Sequence, residues 1–418
     1  MIEPAVATAI AGVVGDANVA RDPGARRAAS ADCSWLSPIL RRELDGMLAD
    51  LVVRPATVAE LARVVELTHR AGVPLTMRGR GTGNYGQAVP LAGGVVVDTT
   101  RLARVLDVTG GWITAEAGAT FVSLEAAARR AGQELAMFPS TTRSTLAGFL
   151  SGGAGGTGSI ENGFVWDGFV SSLEAMPCLP EVAPVTVAGD AEVAPFLHSY
   201  GTTGVLAAAT VRLVPARRWV ALLASFTRWE DALAVAGALT DREPLPRNAA
   251  VDEPAMVALY PPDGAMPAGR VSLRAVVTDG DVADAGRLVA AGGGRTEAVR
   301  PDGAAQPVAL SFNHVTLRAV RARPSLCHPQ VVGPALAERA DEVRACLPGA
   351  MIHVTCGRQG AKPWFGGLLL SEFRDREVVL VVEDNAGVYA PSGAEANGLG
   401  MSLVDKRIKN LYGQSYGL

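Results

Sequence analysis

Two stretches of this sequence combine residue types and spacings that suit ligand chemistry, and the first runs from Val73 to Pro90 as VPLTMRGRGTGNYGQAVP. A buried strand is predicted over 73–77, and a run of glycines follows it directly. Glycine has no Cβ, so the backbone can adopt positive φ and lie close to a ligand. Successive N–H groups of such a loop can point at one anion and form a phosphate-binding nest. We therefore predict an anion-binding loop; the alternative is a flexible turn with solvated arginines.

The side chains of this first glycine loop suit the same kind of ligand. Arginine adds positive charge, and the hydroxyl and amide groups add hydrogen bonds. The predicted ligand-binding residues of the loop are Arg78, Gly79, Arg80, Gly81, Thr82, Gly83, Asn84 and Gln87.

The hexapeptide GTGNYG at 81–86 fits the dinucleotide pattern G-x-G-x-x-G, but its context excludes a Rossmann site. That pattern is informative only when it follows a strand and opens a helix. Here it is followed by QAVP, by paired glycines and by a predicted strand at 95–98. Proline and paired glycines do not continue a helix. The loop is therefore expected to bind its ligand through backbone groups alone.

The second stretch is SGGAGGTGS at 151–159, which follows a predicted short helix at 145–150. This glycine density in an apolar region costs much backbone entropy. It indicates a flat or extended ligand that lies directly on the main chain. The alternative is a loop that crosses beneath closely packed neighbours.

Composition excludes several functional classes. The chain has 418 residues, 49% of them hydrophobic, which allows two or three domains with large cores. A net charge of −4 argues against nucleic acid or an anionic membrane as partner. The N-terminus lacks the basic region of a signal peptide, and no apolar segment suits a membrane span. Five scattered cysteines without a C-x-x-C pair predict neither a metal site nor a disulfide framework, which favours the cytoplasm.

Regular elements must hold both loops. A strand at 51–53, a helix capped by Thr57 and the strand at 73–77 form a predicted strand–helix–strand unit. In the second half, strands alternate with helices, which predicts a sheet with helices on one face. Residues 1–30 are expected to be poorly structured. Further strands are predicted at 95–98, 105–108, 112–117, 207–213, 220–226, 271–277, 350–356 and 377–382, further helices at 121–131, 229–239, 282–290 and 401–411, and loops at 241–270 and 292–308.

The ordered series of motifs resembles the flavoproteins of the vanillyl-alcohol oxidase and p-cresol methylhydroxylase (PCMH) type, which include FAD-linked glycolate and D-lactate dehydrogenases. The likeness covers roughly residues 50 to 215, and the second half resembles the cap domain of this family only loosely. The matching segments are RPAT at 54–57, RGRGTG at 78–83, AEAG at 115–118, PSTT at 139–142, TLAG at 145–148, GG at 155–156 and GTTGV at 201–205.

The resemblance implies an α+β protein with a two-subdomain PCMH-type FAD-binding domain, followed by an α+β cap domain with a mainly antiparallel sheet. The implied plan is an N-terminal extension at 1–45, the FAD-binding domain at 46–217, a cap or substrate domain at 218–386, and a segment at 387–418 that returns toward the FAD domain.

It also implies FAD as cofactor, with the pyrophosphate on the loop at 78–84 and the ribityl chain and isoalloxazine ring against residues 139–145 and 152–159. Some relatives attach FAD covalently through a histidine at the position of Thr82, so non-covalent FAD is expected here. The implied FAD contacts outside the first loop are Pro139, Ser140, Thr141, Thr142, Thr145, Gly148, Gly152, Gly155, Ser159 and Val205.

Hydride transfer to a flavin requires a base to remove a proton from the substrate, and histidine suits working pH best. His314 is the first candidate, because related sequences carry a similar Asn-His-x-Thr string in the cap. His353, on an alternating strand, is the second. For both, a hydrogen-bonded structural histidine is the alternative. His69 is expected to be solvated, His198 to pack near a turn, and His328 to lie in an exposed loop.

A carboxylate substrate would need an arginine clamp, for which Arg318 and Arg358 are candidates against the alternative of surface arginines. Tyr85 is a candidate substrate contact or a packing residue. Toward the C-terminus, APS at 390–392 stands where related hydroxy-acid enzymes carry Asn-Pro-His, which favours a specialised, biosynthetic substrate.

The expected function is an FAD-dependent oxidoreductase that oxidises a CH–OH or CH–NH group of a small molecule, with the electron acceptor open. Two alternatives remain: a flavin-binding protein without redox turnover, such as a complex subunit or a recruited cyclase-like scaffold, and a binding module without a cofactor.

Overall fold

The computed structural model describes residues 2–35, 38–177, 183–302, 304–328, 330–331, 335–359 and 362–372. The strand expected at 377–382, the helix expected at 401–411 and the segment at 387–418 lie outside these ranges.

The first sheet positions the first glycine loop. Its strand order is β1-β2-β4-β3, in which β2, β4 and β3 run parallel and β1 is antiparallel to β2. The predicted strand–helix–strand unit is confirmed, and Thr57 Oγ1 accepts the Glu60 N–H at 3.1 Å to cap its helix. The strands are β1 (Val19–Ala20), β2 (Leu51–Val53), β3 (Leu75–Arg78) and β4 (Val95–Asp98), and the helices are α1 (Pro4–Val14), α2 (Pro23–Ala29), α3 (Pro38–Leu44) and α4 (Val58–Arg70).

The N-terminal thirty residues are folded, so the expectation that they are poorly structured is wrong. Helix α1 buries Ile10 and Val14 in the core that the first sheet shares with Leu61 of α4. The Asp22 side chain accepts the Ala25 N–H at 2.9 Å and caps α2. Alanine, glycine and proline gave this stretch little periodicity, and tertiary contact with the sheet decides its structure.

Strand β3 is half-buried along its whole length, because it is the edge strand of this sheet. The expectation of a buried strand at 73–77 is corrected on this point. The first glycine loop leaves the carboxyl end of β3, which is where open parallel sheets expose backbone to ligands.

The second sheet is antiparallel and positions the second glycine loop. Its order is β5-β6-β10-β8-β9, and β7 pairs separately with β10. Helix α5 packs Phe121 and Leu124 against Ile113 and Val211 of the sheet. The elements are β5 (Val105–Thr109), β6 (Trp112–Glu116), α5 (Phe121–Arg130), β7 (Gln133–Leu135), α6 (Leu146–Gly152), α7 (Ser159–Asn162), β8 (Val170–Pro177), β9 (Val185–Ala188), α8 (Asp190–Val193) and β10 (Gly204–Pro215).

The third sheet begins at Trp219 and is antiparallel, in the order β14-β11-β13-β12-β17-β18-β15, with β16 beside β18. Its strands are β11 (Trp219–Phe226), β12 (Asn248–Asp252), β13 (Val271–Thr278), β14 (Arg295–Arg300), β15 (Leu326–Cys327), β16 (Gln330–Val331), β17 (Met351–Gln359) and β18 (Lys362–Glu372). Its helices are α9 (Trp229–Thr240), α10 (Pro254–Val257), α11 (Val282–Ala291), α12 (Ala305–Ala309), α13 (Asn313–Ala322), α14 (Ala335–Glu338) and α15 (Ala340–Cys346).

Helices cover both faces of this sheet, so the expectation of helices on one face is wrong. Leu222 packs with α9 and α11 in one core, whereas its neighbour Leu223 packs with Val315 and Val320 of α13 in another. Alternate residues of a strand point to opposite faces, and both faces of β11 are apolar.

The loops expected at 241–270 and 292–308 contain β12, α10 and β14, and that expectation is corrected. Their proline, glycine and aspartate residues indicated turns. Strand β12 is nevertheless buried along its length, because it lies between β13 and β17 in the sheet. Pairing with distant strands outweighs local composition here.

Candidate active site

The first glycine loop lacks room for side chains where it packs against Thr145, the residue before α6. No helix follows it, and Gly81 and Gly86 have φ of +62° and +80°. A Cβ on Gly79 would overlap the Thr145 side chain, and one on Gly81 would overlap the guanidinium of Arg78. The glycines therefore let this loop lie directly on the residue that precedes α6.

Two buried polar atoms of the loop have no hydrogen-bond partner among the residues that the structure describes. These are Arg78 Nη1, a donor, and Asn84 Oδ1, an acceptor. A buried polar group without a partner costs about 1–3 kcal/mol. A ligand that offers a phosphate oxygen to Arg78 and an N–H or O–H to Asn84 would remove that cost, and FAD carries both kinds of group.

Hydroxyl groups join the first loop to the segment at 139–145. Thr82 Oγ1 lies 2.8 Å from Ser144 Oγ, which lies 2.5 Å from Thr141 Oγ1. Thr145 is buried, and a Cβ on Gly148 would lie 2.8 Å from its Oγ1. The predicted FAD contacts of both segments are thus brought together around one hydroxyl network.

In the second glycine loop, close packing explains several glycines. A Cβ on Gly156 would overlap the Phe138 carbonyl, and one on Gly155 would lie 2.9 Å from Phe164 Cδ1. Ser159 is buried, and its Oγ accepts the Gly156 N–H at 2.8 Å. For these positions the structure matches the alternative of a loop beneath packed neighbours.

Gly152 differs from those glycines, because a Cβ there would make only ordinary van der Waals contacts. The nearest atoms to a Cβ there would be Tyr200 Cδ1 at 3.9 Å and Gln87 Nε2 at 4.0 Å. Gln87 Oε1 in turn accepts the Tyr85 N–H at 3.0 Å. Val205 is the second residue of β10 and is buried in the core of the first sheet.

His314, on α13 of the third sheet, contacts both predicted FAD segments. Its Nε2 lies 3.2 Å from the Thr82 carbonyl oxygen, and its Nδ1 lies 3.2 Å from Ser140 Oγ. A carbonyl only accepts, so Nε2 carries the proton and Nδ1 accepts from the Ser140 hydroxyl. Burial lowers the pKa of His314, and the charges of Arg318 and Arg321 lower it further. The neutral, proton-accepting form is therefore favoured where the first glycine loop meets the segment at 139–145.

His353 lies inside the third sheet and is fully buried. Its Nδ1 lies 2.8 Å from Asp252 Oδ1, and its Nε2 lies 2.9 Å from Thr355 Oγ1. Asp252 also pairs with Arg274 and accepts the Tyr260 hydroxyl at 2.6 Å. Both nitrogens of His353 thus have protein partners, as the structural alternative for this residue requires.

His328 is half-buried, so the expectation of an exposed loop residue is wrong. Its Nε2 lies 2.5 Å from Thr316 Oγ1 on α13. Burial lowers the pKa of His328 to about 4, with contributions from the nearby His353 and His314. Its neighbourhood comes from the pairing of β15 with β18, which local sequence does not reveal.

The substrate-binding candidates have different surroundings. Arg318 is exposed on α13, on the same helix as His314. Arg358 is half-buried on β17, and within the described part of the chain its buried Nε has no hydrogen-bond partner. Tyr85 has 44% of its surface exposed. A guanidinium with a free buried donor suits a carboxylate, so Arg358 is the better clamp candidate of the two arginines.

Sequence reasoning missed a row of aromatic rings beside the second glycine loop. Phe164 stacks on Trp166 with centroids 5.3 Å apart and meets the edge of Trp364 at 5.7 Å. Trp166 also lies 6.2 Å from the ring of His198. Trp166 is 45% exposed. Only Trp364 comes from the third sheet, so the row joins residues far apart in sequence.

The turn at 198–200 adds backbone strain beside the same loop. His198 and Tyr200 have φ of +51° and +55°, and their N–H groups donate to Leu150 and Ser151. Their side chains join through Tyr200 Oη and His198 Nε2 at 3.0 Å. Positive φ at non-glycine residues is uncommon and often accompanies functional sites. The expectation that His198 packs near this turn is confirmed.

The N-terminal region also contributes to the surroundings of the first loop. The Cys33 N–H donates to the Gly83 carbonyl at 2.9 Å. A cavity of about 340 Å³ lies here and is lined in part by Asp32, Trp35, Arg41 and Val89.

The described part of the chain contains no helix with the length and apolar character that a membrane span requires. Within the same ranges, no group of three or more His, Cys, Asp or Glu side chains could hold a metal ion.

Comparison with known proteins agrees with this geometry. A family model described as an FAD binding domain matches residues 49–176. The chain is 31% identical over 193 residues to D-lactate dehydrogenase of Archaeoglobus fulgidus, covering 44% of this chain and 43% of that protein. It is 27% identical over 179 residues to the glycolate oxidase subunit GlcD of Bacillus subtilis, covering 40% and 37%. The matches therefore span less than half of these curated relatives.

The fold extends further than the sequence likeness. A structure of alkyldihydroxyacetonephosphate synthase superposes with a TM-score of 0.72 at 17% identity, covering 89% of this chain and 79% of that one. At this identity the likeness shows the fold alone, and it confirms the expected α+β architecture with mainly antiparallel sheets. Residues 49–176 match an FAD binding domain, and the first half of the chain is similar to D-lactate dehydrogenase and to a glycolate oxidase subunit.

Proposed function

We propose that this protein is an FAD-dependent oxidoreductase that oxidises a CH–OH, or alternatively a CH–NH, group of a small molecule. The observation that carries the proposal is the position of His314, whose ring nitrogens lie 3.2 Å from Ser140 Oγ and 3.2 Å from the Thr82 carbonyl, in the two segments predicted to bind FAD. The first proposed substrate class is the 2-hydroxy acids, because the matched relatives are a D-lactate dehydrogenase and glycolate oxidase subunits. A specialised biosynthetic substrate and the identity of the electron acceptor stay predictions.

The residues present fit FAD. In this proposal Arg78 and the backbone of Gly79 to Gly83 hold the pyrophosphate, and Asn84 and the hydroxyls at 82, 141 and 144 bind other polar groups. Thr82 cannot form the histidyl bond of some relatives, which favours non-covalent binding. When bound, FAD supplies a hydride acceptor.

The protein's part in the reaction is to orient the substrate and accept its proton. In the neutral tautomer of His314, Nε2–H donates to Thr82, which fixes the ring and leaves Nδ1 as the proton acceptor. A substrate hydroxyl can give its proton to Nδ1 directly, or through the Ser140 hydroxyl that now occupies it. Arg358 is the proposed clamp for a carboxylate. The proposal keeps domain boundaries at 46–217 and 218–386, and the cytoplasmic compartment stays a prediction.

The test begins with the absorption spectrum of the purified protein before and after acid precipitation. We expect a yellow protein that releases its flavin into the supernatant. Anaerobic addition of D-lactate, glycolate, other 2-hydroxy acids, alcohols and amines should then bleach the bound flavin in at least one case. A flavin that no member of the panel reduces would favour the alternative of a flavin-binding protein without turnover. A colourless protein that ignores added FAD would refute both.

His314→Ala should lower the rate of flavin reduction by roughly 100- to 10,000-fold, the usual contribution of a general base. FAD binding should change little, because the residue reaches the loops only through two hydrogen bonds. His69→Ala is the matched control, since His69 is an exposed residue near the end of α4. Equal reduction rates in both variants would remove His314 from the mechanism.

A further inference from the structure

Residues 310–312 form a short turn, the presenting turn, between α12 and α13, and each of its residues is tied to a different strand of the third sheet. The Leu310 carbonyl accepts from Arg274 Nη2 of β13 at 2.7 Å. Ser311 Oγ accepts from Asn248 Nδ2 of β12 at 2.7 Å. The Phe312 N–H donates to Thr355 Oγ1 of β17 at 3.3 Å. His314 follows two residues later, so these three hydrogen bonds fix the backbone position from which its side chain extends.

The last residue of the presenting turn is strained. Phe312 has φ of +58° and ψ of −166°, next to a region that essentially only glycine occupies. Such a conformation costs on the order of 1–3 kcal/mol and persists only where the surroundings enforce it. The ties to β12, β13 and β17 are the contacts that can enforce it.

The tie to Phe312 is one end of a directed chain of buried hydrogen bonds. Thr355 Oγ1 accepts from Phe312, so its hydroxyl proton is free to donate to His353 Nε2 at 2.9 Å. His353 then carries its proton on Nδ1 and donates it to Asp252 at 2.8 Å. Every donor in this sequence meets an acceptor, and the order holds only for one tautomer of His353.

Buried charge holds the far end of this chain. Burial would raise the pKa of Asp252, but the charge of Arg274 and the hydrogen bonds from His353 and Tyr260 lower it, so the carboxylate stays ionised. Arg274, also fully buried, pairs with that carboxylate and reaches the Leu310 carbonyl. One hydrogen-bond network therefore contacts the presenting turn at both ends, at the Leu310 carbonyl and at the Phe312 N–H.

We propose that the Asp252–His353–Thr355 chain is a positioning device, which holds the presenting turn in its strained form and so places His314 across the two FAD-binding segments. In this role His353 acts on the reaction through His314 and does not touch the substrate. The inference rests on the proposed function for its effect on turnover, but its structural effect can be measured without turnover.

The test compares Thr355→Val, which keeps the shape and removes the hydroxyl, with Thr355→Ser, which restores it. Thr240→Val is the matched control, because Thr240 is another buried threonine near the third sheet whose hydroxyl donates to Gly237 at 2.8 Å. The readout is the set of imidazole ¹H–¹⁵N signals of the full protein with ¹⁵N-labelled histidines, assigned by His314→Ala and His353→Ala. We expect Thr355→Val to shift or broaden the signals of both histidines, Thr355→Ser to restore them, and Thr240→Val to leave them unchanged.

If a substrate is found, Thr355→Val should lower kcat by roughly 10- to 100-fold, the cost of misplacing a catalytic group by about 1 Å. KM and FAD affinity should stay within about twofold, and Thr355→Ser should recover most of the rate. Should Thr355→Val fail to fold, Phe312→Gly replaces it. Glycine adopts this φ and ψ without strain but does not confine the turn to them, so the His314 side chain should become less well positioned. Unchanged His314 signals in the variant that is measured would overturn the positioning role. Absence of FAD binding alongside shifted His314 signals would instead refute the proposed function and leave the positioning role standing.

Discussion

At the scale of single residues, the histidines near α13 show how burial sets protonation. His314, His328 and His353 lie close enough for His314 and His353 to lower the pKa of His328. Burial favours the neutral ring for both His314 and His328. A site that must accept a proton near neutral pH benefits from this, because a ring that is already charged cannot act as a base.

This burial predicts a pH dependence of stability. The pKa of His328 falls from 6.5 to about 4 on folding, so the unfolded chain binds more protons between those values. The free energy of unfolding is therefore unaffected by His328 protonation above pH 6.5, and it falls as the pH drops from 6.5 toward 4. In His328→Asn the loss of unfolding free energy between pH 7 and 4.5 should be smaller by on the order of 1–2 kcal/mol. Urea denaturation at a series of pH values measures this, and parallel curves for the two proteins would contradict it.

At the scale of elements, the third sheet supports the site through β12, β13 and β17. Its centre contains Asp252, Arg274 and His353, all fully buried, among side chains that are mainly apolar. Tyr260 adds its hydroxyl to Asp252, and burial together with that carboxylate raises the pKa of Tyr260 well above its usual value. A buried ion pair of this kind is weak evidence for stability. Removing one partner nevertheless destabilises the protein, because it leaves the other partner as an uncompensated buried charge.

Asp252→Asn should therefore destabilise the protein by about 3–5 kcal/mol, because Arg274 would keep its buried charge without a counter-charge. Equilibrium urea denaturation gives the free energy of unfolding. Asp263→Asn is the control: its carboxylate also pairs with an arginine, Arg300, but that arginine is about one-third exposed and can be hydrated. If Asp252→Asn lowered the free energy of unfolding no more than Asp263→Asn does, the proposed role of Asp252 in neutralising the buried Arg274 would be contradicted.

At the scale of the whole molecule, α13 joins the third sheet to the first glycine loop and to the N-terminal region. The helix contacts the first loop through His314, and Arg321 Nη2 donates to the Cys33 carbonyl at 3.2 Å. Cys33 in turn binds Gly83 through its N–H. A ligand that orders the first loop should therefore stabilise residues well beyond its own contacts.

Added FAD is expected to raise the melting temperature of flavin-stripped protein by several degrees, because a ligand at 100 times its Kd stabilises by about 2.7 kcal/mol. Gly79→Ala should abolish most of this shift, since its Cβ would overlap Thr145 and push the loops apart. Gly12→Ala is the control, because a Cβ there meets nothing within 4 Å. Calorimetry with and without FAD measures the effect, and an equal shift in both variants would show that the first loop does not bind FAD.

Sequence patterns alone determined a large part of this protein. Helical spacing and the Thr57 cap located α4, alternation located β6, and apolar runs located β2 and β4. These signals are local, because propensity, periodicity and caps act over a few residues. The two glycine loops were also readable, since glycine at such density has few other uses, and their order along the chain indicated the FAD-binding domain.

Only the tertiary structure decided how distant residues meet. Strand β12 lay in a stretch of turn residues, and its burial comes from pairing with β13 and β17. The contact of His314 with Thr82 joins residues 232 positions apart, and no local pattern encodes it. The roles of Gly155 and Gly156 in packing, of His353 in a buried network and of Phe312 in a strained turn likewise depend on neighbours from other elements. Local chemistry can name the ligand, whereas the geometry that would act on it is a product of long-range packing.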